Sequence, residues 1–214
     1  MSLPDFGPRV TLVDHPLVQH KLSHLRSVNS DTKQFRELVS ELTMLETYEA
    51  TRAFDLVEAK VTTPLCETTC HKLARRVSLV PILRAGIGML EGAQRIIPTA
   101  SVGFIGLQRN EETHQPETYY EKLPHDIADC EVLMIDPMLA TGGSACAAID
   151  FLRQAGVTRL TFMCIVSVEA GINAVLEHDK DVSIVTCAID DHLNDHAYIV
   201  PGLGDAGDRT FGTL

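Results

Sequence analysis

Residues 132–152, VLMIDPMLATGGSACAAIDFL, decide the fold prediction because they join a buried strand to a helix through a glycine-rich loop. The apolar run ends at Asp136, and the loop reaches TGGS (141–144) before the helix begins. The helix carries its apolar side chains on one face: Ala145, Ala148, Ile149 and Leu152. Gly156 is placed to stop it. A strand, a short loop and a helix in this order form the repeating unit of an α/β sheet.

The same alternation extends along the chain on both sides of this unit. Continuous apolar runs predict strands at 77–83, 101–107, 130–136, 160–168 and 182–189. Helical spacing predicts further helices at 86–97, at 171–178 and from a cap at Ser30 or Asp31. Uninterrupted apolar strands that alternate with helices predict an α/β fold, with a parallel-sheet core flanked by helices on both faces.

Three parts of the chain depart from this alternation. Residues 1–29 contain three prolines and are predicted to be irregular. The polar segment 109–124 is long for a connection and is predicted to be a projecting hairpin arm or a lid. Residues 190–214 form a separate C-terminal segment after the last predicted strand. With no repeat and no linker, the prediction is one domain over residues 1–214.

The composition narrows the class of protein. The 214 residues are 45% hydrophobic and 22% charged, as in a soluble globular chain. The net charge of −11 argues against broad binding to nucleic acid or to an anionic membrane. The chain has neither an apolar run of about 18 residues nor the features of a secretory signal, so the predicted location is cytoplasmic. The six cysteines are predicted to be mostly reduced core thiols.

The loop at 136–144 has the features of a phosphate-binding site. Glycines let the backbone approach an anion closely, and the free N–H groups at a helix start bind phosphate. Thr141 and Ser144 add hydroxyl donors, whereas Asp136 is placed to accept hydrogen bonds from sugar hydroxyls. No lysine follows the glycines, so the loop is not a Walker A motif. A sugar phosphate is the predicted ligand, and an ordinary glycine-rich turn is the alternative.

Two arginines follow predicted strands, at the edge where ligands of parallel sheets bind. Arg84 comes directly after the strand at 77–83, and Arg109 closely follows the strand at 101–107. A guanidinium binds phosphate oxygens in a fork, so this pair suits a diphosphate. For each arginine taken singly, a solvated surface charge is the alternative.

Two motifs, DPMLATGGS (136–144) and PGLGDAGD (201–208), carry a resemblance to a known family. The first resembles the phosphate loop of type I phosphoribosyltransferases, and its Asp136-Pro137 pair resembles the uracil-specific branch. Further matching blocks are HPLVQHKL (15–22), YEATR (48–52), VPILRAGIGM (80–89), RNEET (109–113) and YIVPGLGDAGDRTFGT (198–213). The resemblance implies a type I phosphoribosyltransferase-like fold. It also implies transfer of the sugar from 5-phosphoribosyl 1-diphosphate (PRPP) to uracil, which gives UMP and diphosphate in pyrimidine salvage.

The resemblance assigns residues to both substrates. For PRPP it implies Arg84, Arg109, Asp136, Pro137, Met138, Leu139, Ala140, Thr141, Gly142, Gly143, Ser144 and Asp205. For uracil it implies Ile199, Gly204, Asp205 and Ala206, mainly through the backbone. The residues implied to act in catalysis, by positioning and charge stabilisation, are Arg84, Arg109, Asp136 and Asp205. It further implies Mg²⁺ carried on PRPP without a direct protein ligand, a homodimer or higher homo-oligomer and, in parts of the family, GTP as an effector.

Backbone groups of the glycine-rich run at 201–208 can match the N3–H, O2 and O4 groups of uracil. Cytosine would leave such groups unpaired, which costs orders of magnitude in rate. A transferase for another nucleobase and an RNA-binding regulator with the same fold are the competing functions. The run at 201–208 argues against the first, and the charge of −11 argues against the second.

Several other patterns have weaker interpretations. CETTCH (66–71) and HLNDH (192–196) approach metal-ligand spacing, but the first lacks a second pair and the second is better explained as a polar rim of the site. Tyr119 and Tyr120 on the arm are predicted to help exclude water. The chain departs from the family at Cys66, where a glycine is common, at Gln108, where a tyrosine is usual, and in SVEAG at 167–171.

Overall fold

The computed structural model describes residues 6–109 and 116–213. The strands in these ranges are β1 (Val10–Leu12), β2 (Leu56–Thr62), β3 (Glu67–Leu73), β4 (Val77–Leu83), β5 (Ser101–Val102), β6 (Phe104–Arg109), β7 (Pro116–Lys122), β8 (Glu131–Ile135), β9 (Met138–Leu139), β10 (Leu160–Val168), β11 (Ser183–Asp190), β12 (His192–Leu193) and β13 (Ile199–Val200). The α-helices are α1 (Pro16–Arg26), α2 (Thr32–Ala50), α3 (Ile87–Ile96), α4 (Gly143–Gln154), α5 (Glu169–His178) and α6 (Ala206–Phe211). None of these helices is long and apolar enough to cross a membrane.

One sheet forms the centre of the described chain. Its main strands lie in the order β1, β11, β10, β8, β4, β6 and β7, while β5 pairs with β4 and β9 with β10. Every pairing is parallel except that of the edge strand β7 with β6. Strand β10 is buried along nearly its whole length, as a strand covered on both faces must be. The predicted α/β fold with a parallel-sheet core is confirmed.

Local signals account for the elements that were predicted well. The strands at 77–83 and 160–168 have the bounds that their apolar runs predicted. Helix α2 begins after Asp31, whose side chain accepts a hydrogen bond from the Gln34 N–H at 2.8 Å. Phe35 and Leu42 on its apolar face are fully buried in the core.

The prediction that residues 1–29 are irregular is wrong. Strand β1 extends the sheet beside β11, and helix α1 follows it. Pro16 occupies the first turn of α1, where its missing N–H costs no hydrogen bond, so this proline starts the helix rather than breaking it. Val18, Leu22 and Leu25 are buried at helical spacing, which is the signal that the prolines obscured.

Three antiparallel pairs of strands depart from the alternating pattern in the described residues, and the shortest joins β12 to β13. Strands β6 and β7 pair antiparallel in the region of the predicted arm, and residues 110–115 of that arm lie outside the described residues. Strands β2 and β3 form a second hairpin, absent from the sequence prediction, which is a separate two-stranded sheet with mostly exposed side chains. One domain over the whole chain stays a prediction.

Candidate active site

The glycine-rich loop is held against the central strand β10. The Pro137 carbonyl accepts hydrogen bonds from the N–H groups of Ile165 and Val166, both at 3.1 Å, and β9 pairs with the same strand. Gly142 has φ of +84°, and a Cβ there would lie 2.8 Å from the Cβ of Ala174. Both the backbone conformation and the space therefore require glycine at this position.

The first turn of α4 faces outward from this loop. Thr141, Gly143 and Ser144 are exposed, and the nearest atom to a Cβ built on Gly143 is the Thr141 Oγ1 at 3.8 Å. Open space at Gly143 lets an anion approach the backbone closely. Because α4 has 12 residues, its first N–H groups and its dipole together favour a phosphate at this end.

Asp136 lies between β8 and β9, and its backbone N–H donates to the Met163 carbonyl at 3.2 Å. Protein surrounds most of the carboxyl group, although the residue keeps some solvent access. Burial raises the pKa of Asp136 to about 7, and a hydrogen bond from the Met138 backbone partly opposes this shift. The carboxyl group is therefore poised between its neutral and ionised forms near neutral pH.

Arg84 follows β4 directly, after a cis peptide bond with Leu83. Its side chain is exposed and has no hydrogen-bond or ion-pair partner among the residues that the structure describes. Gly86 fixes the turn behind it, since a Cβ at that position would lie 2.5 Å from the Ile135 carbonyl oxygen. Arg109 is the last residue of β6, and its side chain lies outside the described part of the chain.

The C-terminal segment turns between β13 and α6. Ile199 is buried in β13, and Gly204 is exposed with φ of +77°. The Asp205 side chain caps α6 through its Oδ1, which accepts a hydrogen bond from the Asp208 N–H at 2.8 Å. Ala206 is fully buried, backbone and methyl group alike, so a backbone contact with a ligand requires the segment to open around it.

A cavity of about 370 Å³ joins the glycine-rich loop to the C-terminal segment. The predicted site residues that line it are Met138, Ala140, Thr141, Gly143, Ser144 and Ile199. Gly204 and Asp205 instead line a second cavity, of about 590 Å³, beside α1 and α6. Arg84 lines neither cavity. The structure thus brings the glycine-rich loop and Ile199 to one cavity, whereas Gly204 and Asp205 line another and Arg84 lines neither.

The first cavity has further walls that the sequence prediction did not assign. They are Leu107, Gln108, His196, Ala197 and Tyr198. Gln108 could have been inferred from its place beside Arg109 at a strand end. The interpretation of HLNDH (192–196) as a polar rim agrees with His196 on the cavity wall. Ala197 has φ of +61°, a left-handed conformation that no sequence pattern indicated.

Other predicted features lie elsewhere. Tyr119 and Tyr120 are about half exposed on β7 and do not line the cavity. Cys66 is exposed at the turn of the hairpin between β2 and β3, and all six cysteines are unpaired. Within the described ranges, no three potential ligands from His, Cys, Asp and Glu come together as a metal site.

Comparison with solved structures defines the class. The fold matches adenine phosphoribosyltransferase from Trypanosoma brucei with a TM-score of 0.60 and 15% identity, covering 96% of this chain and 92% of that one. The structure of the AQ2163 protein from Aquifex aeolicus matches with a TM-score of 0.90 and 35% identity, covering 94% and 97%. With its parallel sheet and glycine-rich loop, the chain has a type I phosphoribosyltransferase fold, as predicted.

Sequence comparison defines the family within this class. The family model for uracil phosphoribosyltransferase matches residues 12–213. Curated uracil phosphoribosyltransferases from Agathobacter rectalis and Desulfitobacterium hafniense are 52% and 53% identical, each over 96% of this chain and 99% of the relative. The chain belongs to the uracil phosphoribosyltransferase family. The predicted family and the predicted enzyme class, a pentosyltransferase, are confirmed.

Proposed function

We propose that this chain transfers the phosphoribosyl group of PRPP to uracil, forming UMP and releasing diphosphate in pyrimidine salvage. The observation that carries the proposal is the shared cavity, where a phosphate loop meets Ile199 of the C-terminal segment. The N1–C1′ bond to the base forms as the C1′–O bond to diphosphate breaks, the bonding electrons leave with diphosphate, and the proton of N1 passes to solvent. Catalysis then depends mainly on positioning the two substrates and on stabilising charge.

The 5′-phosphate end of PRPP binds the loop at 136–144. Its donors are the backbone N–H groups of Gly143 and Ser144 and the hydroxyl groups of Thr141 and Ser144, all at the exposed start of α4. The remaining loop residues shape the backbone around the phosphate: Pro137, Met138, Leu139, Ala140 and Gly142. Asp136 accepts hydrogen bonds from the ribose hydroxyls.

The diphosphate end lies towards Arg84 and Arg109, at the carboxyl ends of β4 and β6. Arg84 supports this role because its exposed guanidinium has no competing partner in the described residues. Mg²⁺ enters with PRPP as part of the substrate and neutralises phosphate charge. The second carboxylate oxygen of Asp205, whose first oxygen caps α6, orients the ribose or the hydrated ion.

Uracil binds along residues 199–206, which we call the uracil segment. Ile199 forms the cavity wall, and backbone groups of Gly204, Asp205 and Ala206 read the polar edge of the base. Gly204 and Asp205 line the second cavity, on the side of the segment that faces α1. Recognition by backbone groups favours a single pattern of donors and acceptors, which is the basis for rejecting cytosine.

The proposal is tested by assaying purified protein with PRPP and Mg²⁺ against uracil, cytosine, thymine, adenine and hypoxanthine, with and without GTP. We expect UMP from uracil and rates lower by about 10⁴-fold with cytosine, because the mismatch leaves buried groups unpaired. The GTP arm tests the effector that the resemblance implies. Turnover of a purine in preference to uracil would contradict the proposed substrate.

The pKa of Asp136 gives a prediction for the pH dependence. Since the folded carboxyl has a pKa of about 7, its ionised fraction rises as the pH rises through that value. The ionised carboxylate is a stronger hydrogen-bond acceptor for the ribose hydroxyls than the neutral acid. We expect the KM for PRPP to fall up to about tenfold between about pH 6 and about pH 8. Initial rates in that range measure it. Asp136→Asn should remove this pH dependence of the KM for PRPP. If the variant kept the same pH dependence, its source would be the phosphates of PRPP rather than Asp136.

We further propose that the chain forms a homodimer or higher homo-oligomer. The hairpin of β2 and β3 supports this, because an isolated two-stranded sheet is marginal in water and needs a covering surface. It exposes several apolar side chains: Leu56, Val57, Leu65 and Leu73. Sedimentation equilibrium that gave a monomer at assay concentration would contradict the oligomer.

A further inference from the structure

An arginine–aspartate pair that does not line the 370 Å³ cavity holds the uracil segment in shape. Arg26, the last residue of α1, donates from Nη1 and Nη2 to Asp190 at 2.7 and 2.6 Å. The side chain of Asp190 is only 4% exposed, so its carboxylate is almost entirely shielded from solvent. A charge-assisted fork in such surroundings fixes both side chains in one geometry.

Both residues also bind the backbone of the segment at Gly202. The Gly202 N–H donates to Asp190 Oδ2 at 2.8 Å, and the Gly202 carbonyl accepts from Arg26 Nη1 at 2.7 Å. Gly202 has φ of +61°, and a Cβ there would lie 2.1 Å from the Ile199 carbonyl oxygen. Its two polar backbone groups are therefore occupied, at a turn that no other residue type fits.

A second arginine holds the next residue from the same side. Arg209 Nη1 donates to the carbonyls of Leu203 and Leu25, both at 2.8 Å, and Nη2 donates to the Ser27 carbonyl at 2.6 Å. Its guanidinium lies 4.4 Å from the ring centre of Phe35 and has no carboxylate partner among the described residues. Residues 202 and 203 are thus tied to the end of α1, while Gly204 stays exposed.

We propose that Arg26 and Asp190 are positioning residues for uracil, which set the backbone donors and acceptors of the uracil segment without touching the base. This inference rests on the proposed role of residues 199–206. A segment that binds a base through its backbone groups distinguishes uracil from cytosine only if the backbone is rigid. A mobile backbone can rearrange to pair with the polar edge of another base. Loss of the fork should therefore weaken uracil binding and selectivity while leaving the phosphate loop unchanged.

The fold contains a matched control pair. Arg153 donates from Nε and Nη2 to Asp179 at 2.7 and 2.9 Å, and from Nη1 to the Val157 carbonyl at 2.8 Å. Asp179 accepts from the N–H groups of Asp181 and Val182, so this fork, like the first, also bonds to the backbone, with one N–H contact more. Both arginine side chains are 23% exposed. The control fork joins α4 to the loop after α5 and lines no cavity of the site.

The test compares Arg26→Lys and Asp190→Asn with Arg153→Lys and Asp179→Asn. We expect all four to lower Tm by similar amounts. Only the first two should raise the KM for uracil, by about tenfold, because a charged hydrogen bond that shapes the segment is lost. Their kcat and KM for PRPP should stay within about twofold of the parent. The ratio of uracil to cytosine turnover should fall in the same two variants.

Three results would contradict one of the two proposals. An unchanged KM for uracil in Arg26→Lys and Asp190→Asn, with Tm lowered as in the controls, would reduce the fork to a structural contact and overturn the inference. If neither variant folded while both controls did, the fork would be a folding determinant and the positioning role would be rejected. Failure of the parent protein to use uracil would instead overturn the proposed function.

Discussion

Replacing Arg84 with alanine is expected to lower kcat/KM for PRPP by about 10²- to 10³-fold, because a cation that stabilises the leaving diphosphate is lost. The guanidinium stands exposed at the carboxyl end of β4 and has no partner in the described residues. Its removal therefore leaves no buried group unpaired, and Tm should stay unchanged. Steady-state kinetics with varied PRPP and a thermal melt measure the two effects.

The matched control is Arg36→Ala. Arg36 is also exposed and also without a side-chain partner in the described ranges, but it lies on α2, away from the strand ends. This variant should keep the kinetics of the parent protein. A kcat/KM for Arg84→Ala within about threefold of the Arg36→Ala value would show that Arg84 does not serve the leaving group.

Replacing Glu46 with leucine is expected to raise the stability of the protein. Glu46 lies on α2 facing the sheet and is fully buried, and neither carboxyl oxygen accepts a hydrogen bond of good geometry from a described residue. Burial raises the pKa of Glu46 well above its ordinary value, against a smaller opposing effect of the Cys164 backbone. A buried acid without a partner is destabilising, and leucine has a similar volume, so the free energy of unfolding should rise by about 1–4 kcal/mol near neutral pH.

The pH dependence of the unfolding free energy shows whether the buried carboxyl group of Glu46 causes the destabilisation. The folded carboxyl holds its proton more tightly than the unfolded one, whose pKa is about 4.5. As the pH rises above that value, the unfolded state ionises first, and the free energy of unfolding falls until the folded group also ionises. Glu46→Gln should remove the pH dependence of the unfolding free energy but keep the cost of burying a polar group. Glu46→Leu should remove both the pH dependence and that cost. The thiols of Cys164 and Cys187 lie nearby, and burial raises the pKa of each, so they stay neutral over the same range.

Denaturant unfolding at about pH 5 and about pH 8 measures the difference. Glu41→Gln serves as the control, since Glu41 is on the same helix with its carboxylate 46% exposed and paired with Lys21. It should not raise the free energy of unfolding. A lower unfolding free energy for Glu46→Leu at both pH values would show that the carboxylic acid makes a stabilising contact in the folded chain.

Local sequence determined much of the fold and the phosphate loop. The strand at 160–168 is mostly apolar, as expected of a strand that helices cover on both faces of the sheet. This pattern can be recognised from the sequence alone. The cap at Asp31 is similarly local, because its hydrogen bond joins residues three apart, and the glycines at 142 and 143 mark the loop in the sequence itself. The resemblance in DPMLATGGS (136–144) then led to the family.

Only the tertiary structure decided which distant residues complete the site. Arg26 and Asp190 are 164 residues apart, and no local pattern relates a helix end to a strand end at that separation. Strand β1 was hidden for the same reason, since its three residues become a strand only beside β11. From the sequence alone, Glu46 would be predicted to be an exposed acid on a helix. It is buried because α2 packs on the sheet. Periodicity reports the face that a residue takes on its own element, whereas burial, ion pairs and cavity walls depend on what the fold brings against that face.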